Sequence, residues 1–208
     1  MSRVPRVRRL DVCGLIVALR LVRSQDAGGH SRRAMKHGVA IDPGKRRAGV
    51  TIFDVEQREV LRAGLVAVDG EDEGPRAVIA LAQRIVDWVG MPMFDTLAVE
   101  WPRTYEGRAS RGDANDLFYL SGLDCALAMR THNVVHYLPQ EWGALGKPKA
   151  AKEKYAVEHR VFERLSAVEQ LRVEWPKNRR HGWDVTDSLA IALKFMGRFE
   201  RARVLARE

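Results

Sequence analysis

The sequence predicts an α/β domain on a mixed five-stranded sheet, three antiparallel strands followed by two parallel ones, with helices on both faces. Three observations point there. The apolar run Gly38-Val39-Ala40-Ile41 ends at Asp42 and meets Pro43-Gly44 at once, which reads as a strand entering a turn. Two more strand-like runs follow with no helical interval, as in a meander. Beyond them, helical and strand-like stretches alternate, as they do when crossovers join parallel strands.

Each element has its own warrant. Lys45-Arg46-Arg47 leads from the first turn into the second strand, Ala48-Gly49-Val50-Thr51-Ile52-Phe53. The third strand covers 60–68 and stops at the turn residues Asp69-Gly70. An amphipathic segment, 75–89, begins at Pro75, whose fixed φ suits a first helical turn. Thr96-Leu97-Ala98-Val99 ends in Glu100 and is followed by Trp101-Pro102, repeating the strand-to-turn pattern of Asp42. The stretch 117–129 reads as a helix whose small residues Ser121, Gly122, Ala126 and Ala128 tolerate close helix packing. After a fifth strand, Asp184 and Asp187 open an apolar helix, Ser188-Leu189-Ala190-Ile191-Ala192-Leu193. The plan is β-β-β-α-β-α-β-α.

Four carboxylates, Asp42, Glu100, Asp184 and Asp187, thus stand at the edges of apolar runs. The i, i+3 spacing of the last two puts them on one helix face. An unpaired charge at the end of a buried strand is costly. A divalent cation removes that cost, and Mg²⁺ prefers hard oxygen ligands. Structural readings compete: Asp42 as a turn former before Pro43-Gly44, and Asp184 as a helix N-cap. Glu100 beside Trp101-Pro102 is the hardest of the four to explain without chemistry.

The element order, with acids on the first and fourth strands and on the last helix, resembles the ribonuclease H-like superfamily. Within it, Ile41-Asp42-Pro43-Gly44 with Gly49, Val99-Glu100-Trp101-Pro102, and the stretch from Asp184 to Ala192 resemble the RuvC-type Holliday junction resolvases (crossover junction endodeoxyribonucleases). Asn115-Asp116-Leu117 and the segment holding Pro139, Trp142, Pro148 and Lys149 are similar to the bacteriophage branch. The resemblance covers roughly residues 37–198. It implies a metal-dependent, structure-selective endonuclease of DNA recombination and repair that hydrolyses phosphodiesters in opposed strands of a four-way junction. It further implies a homodimer to which the 117–129 helix contributes, and two Mg²⁺ per site with Mn²⁺ able to substitute. Asp42 is expected to bridge the ions, Glu100 to hold one of them, and Asp184 with Asp187 the other. For DNA contact, the expected residues are Lys147, Lys149 and Lys152, with Lys149 as the phosphate ligand, then Arg179 and Arg180. Trp101 and Tyr105 are candidates for stacking on an exposed base. His181 precedes Asp184 by three residues and is within range of the metal region.

Composition sets the frame for these readings. The chain has 208 residues and a net charge of +8, a length that suits one well-buried core. The charge is uneven: residues 1–36 hold nine basic and two acidic side chains, and 37–146 hold eleven and sixteen. Residues 147–180 hold ten basic and five acidic side chains, a strip suited to phosphates or to an ordinary solvated face. Cys13 and Cys125 are too few for a disulfide framework and read as free thiols of a reducing compartment; the resemblance implies the cytoplasm of a bacterial or phage-infected host cell. No apolar run approaches a membrane span. Residues 1–36 read as a basic extension, poorly ordered or not native, because Met35 stands directly before the first strand. The nuclease domain is expected over 37–203 and a tail over 204–208. An Arg-rich DNA arm is the sharper reading of the extension; a signal peptide is disfavoured because Arg20 interrupts its apolar run.

Two readings of other classes stand beside the nuclease. A non-catalytic ribonuclease H-like DNA-binding module would be expected to have lost at least one of the acids. An actin-like or sugar-kinase-like protein would need a second phosphate hairpin and a longer, two-domain chain. A nuclease acting on other branched DNA keeps the chemistry and changes the substrate.

Overall fold

Strand β1 (His37–Pro43) is buried and apolar on both faces from Val39 to Ile41. A strand so covered belongs at the middle of a sheet with helices on either side. The computed structural model describes residues 36–68, 70, 74–101, 114–138, 141, 158–178 and 181–198. Apart from Lys36, the expected N-terminal extension lies outside the described residues, as does the tail 204–208.

Strands β2 (Arg47–Asp54), β3 (Glu59–Ala67), β4 (Phe94–Glu100) and β5 (Thr131–Tyr137) complete a five-stranded sheet in the order β3-β2-β1-β4-β5. β1, β2 and β3 pair antiparallel; β4 and β5 run parallel to β1. This is the mixed sheet expected from the sequence, with the first strand at its centre.

Alternation along the strands sends side chains to two cores. Val39, Ile41, Val50, Ile52, Leu97 and Val99 meet helix α1 (Pro75–Val89) and helix α2 (Ala114–Ala128). Ala40, Phe53 and Ala98 meet the last described helix, α4 (Gly182–Phe195), through Val185, Leu189 and Leu193. Helix α1 has the bounds the sequence predicts: Pro75 opens it, and it ends at Gly90, whose φ of 72° is left-handed. Helix α2 starts at Ala114, three residues ahead of the expected start. Among the described residues, no helix is long and apolar enough to cross a membrane.

A short helix, α3 (Ala167–Leu171), begins with a capping box between Ser166 and Glu169. Glu169 is 1% exposed. Besides capping, it accepts from the Val60 amide of β3 at 2.8 Å and from Arg198 Nη2 at 2.8 Å, with Arg198 Nη1 on its other oxygen. Burial works against this charge, but the Arg198 guanidinium and the Val60 and Ser166 amides outweigh it and hold the carboxyl at about 2. A lowered carboxyl stabilises the fold above its unfolded value, 4.5, and loses that contribution as pH falls toward 2. Glu169→Gln is therefore expected to cost up to about 3 kcal/mol at pH 7. The gap to the parent should close below pH 4.5 as the parent's own carboxyl takes its proton. Urea unfolding at several pH values reads this directly, and a gap that stays constant with pH would assign the loss to packing.

Candidate functional site

In the parallel pairing of β1 with β4, Ile41 lies beside Val99, so both strands deliver the next residue at the same end of the sheet. Those residues are Asp42 and Glu100. Ala40 and Ala98, two positions earlier, face α4, and alternation puts Asp42 and Glu100 on the same side.

Helix α4 starts over this end. Opposite Asp42 on β2 stands Gly49, and a Cβ added there would lie 1.8 Å from the carbonyl oxygen of Asp184. The helix backbone thus rests on the strand where only glycine fits. One turn further along, Thr51 Oγ1 and Ser188 Oγ share a hydrogen bond of 2.9 Å. These contacts set Asp184 and Asp187 above the ends of β1 and β4. Asp184 is not the N-cap of α4: His181 holds that position without a side-chain cap, and Asp184 sits in the first helical turn. The helix starts at Gly182, which packs beside the Trp175 ring at ordinary contact distance. His181 itself lies 3.5 Å from Asn178, through Nε2 and Nδ2.

The carboxylates answer their crowding in two ways. Burial, and then the charge of Asp187, push the Glu100 carboxyl up to about 7. Asp184 instead accepts from Arg47 Nε at 2.6 Å. Asp187 thus bears electrostatically on Glu100, and Asp184 is engaged by Arg47. No local pattern in the sequence singles out Arg47, which lies 137 positions before its partner. The signal that could have found it is the basic run Lys45-Arg46-Arg47 directly after the Asp42 turn.

As a metal site, the donor set fits in chemistry: hard carboxylate oxygens from two strands and one helix, toward one end of one sheet face. Among the described residues, no three His, Cys, Asp or Glu side chains close into a metal cluster in this arrangement. A cation at the site would share Asp184 with Arg47, which engages its Oδ2.

The other expected contacts divide sharply. Trp101 is 45% exposed, its amide donates to the Tyr137 carbonyl at 2.8 Å, and its ring meets His136 edge-on at 4.5 Å. His136 in turn lies 2.7 Å from Asp124 of α2. The indole is therefore partly occupied by the protein, with about half of its surface open. Tyr105, Lys147, Lys149, Lys152, Arg179 and Arg180 lie outside the described residues, as do Pro139, Trp142 and Pro148.

No family model matches the sequence, and no curated protein matches it. Solved structures do match. Thermus thermophilus RuvC in complex with a Holliday junction substrate aligns with a TM-score of 0.51 at 20% identity, over 78% of this chain and 95% of that one. A second structure of Thermus thermophilus RuvC gives a TM-score of 0.50 at 22% identity, again over 78% and 95%. The likeness shows the fold: a mixed five-stranded sheet with helices on both faces, as in RuvC.

Proposed function

We propose that the protein is a metal-dependent endonuclease that resolves four-way DNA junctions, with Asp42, Glu100, Asp184 and Asp187 as the ligand set. The observation that carries this reading is the gathering of the four acids at one end of one sheet face, where Asp187 and burial together hold Glu100 near 7. Perturbed carboxyls in such a group mark functional sites more often than structural ones. When bound, two Mg²⁺, or Mn²⁺ in their place, activate a water and stabilise the leaving oxygen of the phosphodiester. The chain's own part is to hold the donors. Asp42 is fixed on the central strand, Glu100 on its parallel neighbour, and the helical pair on a backbone seated against Gly49.

Partner and context belong to the same reading. Branched DNA would be gripped by the basic strip 147–180, with Lys149 on a phosphate and Trp101 against a base. The homodimer would form through α2 and the turn after it, where Phe118 and Met129 are 79% and 58% exposed. The Val99-Glu100-Trp101-Pro102 and Asn115-Asp116-Leu117 elements favour the bacteriophage branch, and the two free thiols a cytoplasmic setting.

Incubation with a labelled four-way junction, a matched linear duplex and a flap, each with and without Mg²⁺, tests the reading. Paired cuts in opposed strands of the junction, only with the cation, are expected. Flap cleavage with an intact junction would redirect the chemistry to other branched DNA. Tight junction binding without any cut would favour the non-catalytic module.

Glu100 adds a measurable sign. Its raised carboxyl favours the metal-free fold in acid, and that contribution is lost as pH rises from 4.5 through about 7. Glu100→Gln should therefore match the parent near pH 4 and be the more stable protein at pH 8. Cation binding needs the carboxylate, so Mg²⁺ titration at pH 6 should release about one proton, and far less at pH 8. Calorimetry in buffers of different ionisation heat counts that proton, and equal release at both pH values would remove Glu100 from the ligand set.

A further inference from the structure

We propose that Arg47 is the site's internal counter-cation, a guanidinium that occupies Asp184 while no divalent ion is bound and passes to a DNA phosphate once one is. This rests on the metal-dependent reading above and adds to it a residue outside the four acids.

The placement is built in. Arg47 is the first residue of β2 and shares its face with Gly49 and Thr51, the two positions that seat α4. Its Nε donates to Asp184 Oδ2 at 2.6 Å, and the two side chains are 45% and 26% exposed. An ion pair this open to water contributes at most about 1 kcal/mol to folding. It is not what fastens α4, which is held by Thr51–Ser188 and by the buried Val185, Leu189 and Leu193. A weak pair on a candidate metal ligand is readily displaced.

Geometry then says where the guanidinium goes. The bond to Asp184 is made by Nε; the terminal nitrogens carry the forked N–H donors that match two phosphate oxygens. Arg47 ends the turn that starts at Asp42-Pro43-Gly44, and Lys45 and Arg46 beside it are also exposed. A phosphodiester approaching the acids meets this turn, so the same arginine that quiets the empty site is within reach of the substrate's charge. Two states of one side chain follow, and the divalent ion selects between them.

The test compares the full-length chain with Arg47→Met and, as the charge-keeping control, Arg47→Lys. Mg²⁺ binding to the DNA-free proteins is read by calorimetry. Four-way junction affinity is read over a salt series, once with Ca²⁺ as a cation probe and once with a chelator. Arg47→Met is expected to bind Mg²⁺ about three- to tenfold tighter, because the competitor for Asp184 is gone. With Ca²⁺, its salt slope for junction binding should be about one unit shallower than the parent's; with chelator the two slopes should agree. Arg47→Lys should fall near the parent in both. Equal or weaker Mg²⁺ binding by Arg47→Met, or a slope difference that ignores Ca²⁺, overturns the inference and leaves the nuclease reading standing. A parent protein that binds no Mg²⁺ overturns both.

Discussion

Asp42→Asn is expected to lower junction cleavage by about three orders of magnitude while junction binding stays within about twofold. Asparagine keeps the size and the strand position and removes the charge. Asp42 closes the central strand, with Gly49 opposite it on one side and the strand of Glu100 parallel to it on the other. Its strand lies between the one that carries Glu100 and the one on which α4 is seated, the placement expected of a ligand shared by both groups on the proposed function. Binding rests on cationic groups elsewhere, so the two readouts should separate. Cleavage by Asp42→Asn within tenfold of the parent would show that the central carboxylate is a turn former and nothing more.

Gly49→Ala is the second large effect, and it strikes the site without touching an acid. The new Cβ would sit 1.8 Å from the Asp184 oxygen and 2.3 Å from its carbonyl carbon, both backbone atoms with no freedom to turn aside. The start of α4 must lift by more than an ångström, which carries Asp184 and Asp187 with it. Overpacking of this kind costs about 1–3 kcal/mol in stability. Misplacement of catalytic groups by an ångström costs about 10²-fold in rate. The signature is a protein that melts a little early and cleaves a great deal more slowly. Full activity in Gly49→Ala, with unchanged melting, would mean that α4 slides freely on β2 and that its seat does not set the site.

Much of this architecture was legible before any coordinates. Strand ends carrying an acid followed by Pro-Gly or Trp-Pro, and an i, i+3 pair at a helix start, are local patterns, and the sheet places them together as expected. The alternation of Ala40 with Asp42 and of Ala98 with Glu100 is likewise written in the chain, and it puts both acids on the α4 face. What could not be read were partners distant in sequence. Arg47 and Asp184, or Thr51 and Ser188, lie 137 positions apart, and no periodicity links them. The reading of Asp184 as an N-cap does not hold, since α4 begins at Gly182 with His181 at the cap and Asp184 lies in its first turn. The pairing of Asp187 with Glu100 depends on helix rotation over the sheet, which tertiary packing decides.

The seat of α4 on β2 also has a consequence for how the protein comes to life. The hairpins of β1, β2 and β3 close between near neighbours in the chain, whereas the contacts of α4 close over 137 positions. Loops of that span close late and are the slow step of assembly. A nascent chain can thus finish most of its sheet while the candidate site remains without half of its acids. On the proposed function, activity would then arrive in one step with the docking of α4, and a local opening that lifts this helix would remove it before the sheet itself is disturbed.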